Sequence, residues 1–229
     1  MPPHLKSYPA TVRRCAPLRA WTLCTLCTLW TLWTLLGLAA PACAAQVSGV
    51  HVRRDGARFL IRMHIAVNAP PPAVFRALTD YAALSRYNPD LRAVRVEPTS
   101  EPNRVRLFAT IHTCVLFFCK TMHQEQIMTA VANPGGGVLR SVWVPEHSDF
   151  KQGHGRWTVT PCASGRRQAC MDVQIELVPA FAVPPVIGPW LVRRKMYQEA
   201  QRTGAGIEQV ARDESRHVRV NGAPGSAGR

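Results

Sequence analysis

Lysine is scarce in this chain of 229 residues: Lys6, Lys120, Lys151 and Lys195 are the only four among 28 basic residues. Acid is scarcer than base, with 14 carboxylates in all and none before Asp55. An arginine excess beside abundant Ala, Pro and Gly reflects coding bias as readily as a binding surface. The arginines are also scattered over every segment, with no dense run, so nucleic acid is not an expected partner. The four cysteines beyond residue 45 (Cys114, Cys119, Cys162 and Cys170) lack the close CxxC spacing of a zinc site. Gly153-His154-Gly155 lacks the strand-to-helix context of a phosphate loop. No repeat occurs outside the first 45 residues. Neither a metal nor a cofactor is expected.

The first 45 residues carry the strongest local signal. Lys6, Arg13, Arg14 and Arg19 form a positive start, and an apolar run follows from Trp21 to Leu38. It ends in Ala39-Ala40-Pro41-Ala42-Cys43-Ala44-Ala45, small residues of the kind a signal peptidase accepts. The order predicts a secretory leader over residues 1–45 and an exported, periplasmic product. The alternative is an uncleaved membrane anchor, because the run is nearly long enough to span. Threonine at every third position lowers its hydrophobicity and favours cleavage. Removal leaves 184 residues with 24 basic and 14 acidic groups, a net charge of +10. That length suits one domain with a sizeable core. The charge is compatible with contact at an anionic membrane surface.

An even cysteine count in an exported chain predicts disulfides. Cys162 and Cys170 flank a turn-rich stretch between two strand-like runs, so pairing across a hairpin is natural. Cys114 pairs with Cys119 by default. Between them, Val115-Leu116-Phe117-Phe118 forms either an apolar tip that touches a membrane or gates a cavity, or an ordinary buried strand.

Phe59, Ile61, Met63, Ile65 and Val67 alternate with polar residues, the period of a half-buried strand. Asp55-Gly56 marks a hairpin turn, with a short partner strand over Val50 to Arg53. Asn68-Ala69-Pro70-Pro71-Pro72 ends the strand and opens a helix whose face holds Val74, Leu78 and Tyr81. From Leu91 the pattern is β for nearly ninety residues, about six strands. A long helix then starts between Pro185 and Pro189, with Trp190, Tyr197, Ala200, Gly204, Ile207 and Ala211 near one face. Arg193, Arg194, Lys195, Glu199 and Arg202 cover the rest. The polar, Gly/Ser/Pro-bearing stretch 213–229 is expected to be a disordered tail. An antiparallel sheet with one apolar face must be covered, and only the long helix is large enough to cover it. The expected fold is α+β: a curved antiparallel sheet wrapped around a long C-terminal helix, over residues 46–212. Such a grip leaves a gap suited to an apolar ligand.

Hydrolase-like residue types stand side by side at Glu146-His147-Ser148-Asp149, but neighbours in a loop point different ways and form no triad. His123 and Glu125 share a strand face, where exposed cross-strand partners are the commoner explanation. Aromatics are better candidates for a ligand site. Trp143 and Trp157 fall on inward faces of neighbouring strands, and Phe150, Tyr87 and Phe181 join them; plain core packing is the competing role.

Asn68-Ala69-Pro70, Val74-Phe75, Leu78-Thr79-Asp80-Tyr81 and Tyr87-Asn88-Pro89 resemble the opening of the START-like helix-grip superfamily (SRPBCC), in particular its polyketide cyclase/dehydrase or coenzyme Q-binding-like branch. Asp149 to Trp157 resembles the strand before the last hairpin there, and the likeness covers roughly residues 57–212. It implies a cavity for lipids, isoprenoids, sterols, fatty acids or polyketides. Fold alone does not fix function. The expectation is an exported carrier for a hydrophobic small molecule or lipid. The alternatives are a cyclase or aromatase using His147, Asp149 or Tyr87 as acid or base, and a basic protein of the membrane surface.

Overall fold

In a computed structural model the described residues are 45–115, 118–184 and 188–221. The leader expected over 1–45 lies almost wholly outside them, as do Leu116 and Phe117. Strand β1 (Gln46–Asp55) turns at Gly56 into β2 (Arg58–Val67). β1 is longer than the four residues its sequence marks. Gly49, at φ +67°, sits where the register shifts between Ser48 and His51, an irregularity that alternation cannot reveal.

Helix α1 (Pro71–Thr79) begins on prolines, whose fixed φ suits a first turn and whose missing N–H costs nothing there. It buries Val74, Phe75 and Leu78. A 3₁₀ turn (Tyr81–Ala83), capped by Asp80, and the short α2 (Leu84–Tyr87) carry the chain to the far edge of the sheet. Six strands follow: β3 (Leu91–Pro98), β4 (Arg104–Val115), β5 (Phe118–Asn133), β6 (Gly136–Trp143), β7 (Phe150–Cys162) and β8 (Gly165–Pro179). All pairings are antiparallel, in the order β1-β2-β8-β7-β6-β5-β4-β3. β2 and β8, remote in sequence, pair over Phe59–Val67 and Ala169–Leu177, which places the last hairpin mid-sheet.

Helix α3 (Gly188–Asn221) crosses the concave face, and Ala200, Ile207 and Ala211 are buried there. At Gly204 an added Cβ would stand 3.2 Å from Ile65 Cγ2 and 2.9 Å from Ala45 Cβ, so only glycine permits this closeness. Three expectations are corrected. Trp190 and Tyr197 face solvent, at 52% and 41% exposure. Lys195, placed on the polar side by its charge, is turned inward at 9% exposure, beside Glu199. The helix also runs past Asp213 to Asn221, in part of the expected tail, and Glu214 there pairs with Arg76 of α1 at 2.8 Å. A helix paired across to a neighbouring element persists where composition alone would end it. Among the described residues no helix is long and apolar enough to cross a membrane.

Candidate functional site

Between the sheet and α3 lies a cavity of about 330 Å³. β2, β8, β7, β6, β5 and β4 supply the floor, Leu78, Tyr81 and Leu84 one end, and Met196 and Ala200 of α3 the roof. Its size falls at the lower end of the range of small-molecule sites. Five of the six methionines of the chain (Met63, Met122, Met128, Met171 and Met196) stand in the wall. Unbranched, polarisable side chains let such a wall adapt to different shapes. Sequence reasoning missed them because each is one apolar letter in an alternating strand; their concentration emerges only when the sheet closes.

Trp143, Trp157 and Phe150 line this cavity. Two glycines, readable in sequence only as a bend or bulge, explain how the indoles fit. A Cβ on Gly153 would lie 2.7 Å from Trp143 Cε3, and one on Gly155 would lie 2.6 Å from Trp157 Cη2. Both rings therefore stand against bare backbone of β7. The Trp143 Nε1–H donates to Gln124 Oε1 at 3.1 Å, which fixes the ring in its slot. Phe150 meets Trp143 edge-on at 6.0 Å. Phe181 is outside the wall: it packs edge-on against Phe150 at 6.4 Å, with the Lys120 ammonium 4.5 Å from its ring. The Tyr87 side chain lies outside what is described.

One end of the cavity is charged. Lys195 Nζ contacts Asp90 and lies 2.7 Å from Glu199 Oε1, and Arg202 approaches both carboxylates at 3.8 Å. Burial works to raise the Asp90 carboxyl and is outweighed by the hydrogen bond and charge of Lys195, which hold it below its ordinary value. Burial pushes the Tyr81 phenol up to about 12, so this wall residue stays neutral.

The remaining candidates do not converge on the cavity. Asp149 Oδ2 accepts from the backbone N–H of His123 at 2.7 Å, a structural tie between β5 and the loop before β7. His147 is exposed on the 3₁₀ turn Pro145–His147 and borders a separate shallow groove. Glu125, expected to be exposed, is buried at 1% exposure and paired with Arg106 at 2.9 Å on the outer side of the sheet. The loop from Val144 to Asp149 docks there, with the Ser148 hydroxyl accepting from Glu125 N–H. His123 bonds Thr110 instead of Glu125. The disulfides are Cys114–Cys119, across the β4–β5 pair, and Cys162–Cys170, across the β7–β8 turn. His112, Cys114 and Cys119 cluster closely enough to hold a metal, but the disulfide ties up both thiols.

A profile described as polyketide cyclase / dehydrase and lipid transport matches residues 67–200. The chain belongs to that family. Its fold is that of the START-like superfamily. A STAR-related lipid transfer protein from Xanthomonas axonopodis is 17% identical, with a TM-score of 0.55 over 76% of this chain and 97% of that one. Human STARD10 is 6% identical, with a TM-score of 0.51 over 82% and 81%. The lipid transfer and protein localization domain of human StarD13 is 14% identical, with a TM-score of 0.50 over 79% and 96%. No curated protein sequence matches significantly.

Proposed function

We propose that this protein is an exported carrier that holds a hydrophobic small molecule or lipid between its sheet and α3. The observation that carries the reading is the cavity itself, about 330 Å³ of space walled by methionines, aliphatic side chains and two clamped indoles. A well-packed interior has few voids larger than a water molecule, so space of this size needs an occupant or a cost. The family's description, cyclase and lipid transport, fits the same cavity. Carriage is favoured over catalysis because the wall is chiefly apolar and its charged groups, Lys195, Asp90 and Glu199, are paired with one another, while His147 and Asp149 lie elsewhere. In this reading Trp143, Trp157 and Phe150 contact the ligand. Phe181 supports Phe150 from behind.

Export follows from the leader, with cleavage near Ala45 and the periplasm as destination. The two disulfides are compatible with an oxidising compartment. N-terminal sequencing of secreted protein should begin near Gln46; intact Met1 in the membrane fraction would overturn this. For the cavity, a fluorescent fatty acid or isoprenoid analogue should bind the wild type. Trp157→Ala should weaken that binding more than it weakens folding. A folded Trp157→Ala protein with unchanged affinity would sink the assignment.

A further inference from the structure

The arginines that look scattered along the chain are gathered by strand register on the outer face of the sheet. His51 of β1 is directly opposite Arg62 of β2, Arg62 opposite Gln174 of β8, Gln174 opposite Arg156 of β7, and Arg156 opposite Arg140 of β6. His51, Arg62, Gln174, Arg156 and Arg140 are all exposed. With strands about 4.8 Å apart, Arg140, Arg156 and Arg62 lie along one line of roughly 15 Å. Like charges directly opposite one another destabilise a sheet, and Arg140 and Arg156 are such a pair.

Nothing among the described residues neutralises them. The flanking carboxylates of β8 are engaged elsewhere: Asp172 with His64, and Glu176 with Arg58 and His154. Gln174 occupies the one position from which an acid would reach both Arg62 and Arg156. Arg62, Arg140 and Arg156 have no ion pair among the described residues, whereas Arg58, Arg76, Arg95, Arg104, Arg106, Arg202 and Arg212 do. A cleft of about 730 Å³ is lined by His51, Arg62, Gln174 and Arg156 together with Arg53 and with Arg193 of α3. A fold gains nothing from concentrating unpaired cations where a glutamate at 174 would have balanced them.

We propose that this row is a docking face for a bilayer of anionic phospholipid. The phosphate layer of such a membrane supplies the missing negative charge, and each arginine near it adds to binding. Two observations favour a membrane over a nucleic acid. The outward residues of β2, β6, β7 and β8 beside the row include no Phe, Tyr or Trp on which bases would stack, while Val142, next on this face after Arg140, is 56% exposed. The face lies outside the cavity, so this inference stands apart from the carrier reading.

The test is sedimentation of the purified, exported protein with vesicles of phosphatidylcholine alone or with phosphatidylglycerol. Binding should require phosphatidylglycerol and fall as salt rises. The triple variant Arg62→Gln/Arg140→Gln/Arg156→Gln should lose about fivefold per arginine, roughly a hundredfold in all. Its thermal midpoint should stay level or rise, because mutual repulsion has been removed. Equal binding to both vesicle types, or a triple variant that still binds fully, overturns the proposal. So does an oligonucleotide whose binding the triple variant loses while its vesicle binding persists.

Discussion

Gly153→Ala probes how the cavity is built with the smallest possible perturbation, one methyl group. The new Cβ would stand 2.7 Å from Trp143 Cε3 and 2.8 Å from Cδ2. The ring must retreat by roughly 0.5–1 Å before that contact becomes ordinary, an overpacking that costs about 1–3 kcal/mol. Backbone lies on one side of the indole and the cavity on the other, so retreat is into the cavity. That movement stretches the 3.1 Å bond to Gln124 and presses on Phe150. Because vacant space receives the ring, the cost should fall at the lower end, about 1–2 kcal/mol, or roughly 2–8 °C in the thermal midpoint. Probe affinity should drop as well, since the displaced ring takes ligand volume. Calorimetry and probe titration on the same preparation measure both. Trp143→Phe added to Gly153→Ala should recover stability, because the smaller ring no longer needs the bare backbone. A Gly153→Ala protein that melts and binds like the wild type would refute the seating of the indole over residue 153.

Replacing Cys162 and Cys170 together by serine should lower stability by about 2 kcal/mol in chemical denaturation, as expected for loss of a short closed loop; peptide mapping that finds both native thiols free would exclude the bridge. Lys195→Met should destabilise by about 2 kcal/mol because it removes the nearest cation from the half-buried Asp90 and Glu199 and leaves them only Arg202 at 3.8 Å, and adding Asp90→Asn should restore part of the loss. Asp90, held below its ordinary 3.8, contributes stability that is whole above that pH and is lost as pH falls through its lowered value. Melting curves of wild type and Asp90→Asn should therefore converge in strong acid and separate above it; curves that stay parallel would refute the linkage.

The strands were legible because alternation is local: Phe59 to Val67 and Met171 to Leu177 each show their buried face in every second letter, and the sheet pairs those two runs. The hairpin disulfide was legible for the same reason, with turn residues between two such runs. The β1 bulge at Gly49 and the clearance at Gly153 and Gly155 were not, because a glycine in a strand reports an irregularity without naming the side chain it accommodates.

Ala200, Gly204, Ile207 and Ala211 lie on the buried face of α3 as their spacing predicts, but the first turns of the helix depart from the pattern. Hydrophobicity placed Trp190 and Tyr197 inward and Lys195 outward, whereas the fold does the reverse. A lysine enters a wall when carboxylates meet it there. One of them, Glu199, is four residues away on the same helix, but Asp90 belongs to the turn before β3, 105 residues distant in sequence. No periodicity within the helix can register that partner. The arginine row fails to show in sequence for the same physical reason: Arg62, Arg140 and Arg156 are neighbours only through strand register. Charge read along one dimension exposes pairs within an element, and the cavity end and the outer face are both made by charges from different elements. The apolar pattern therefore sufficed to place the cavity, while the polarity of both candidate surfaces had to come from the pairing of strands.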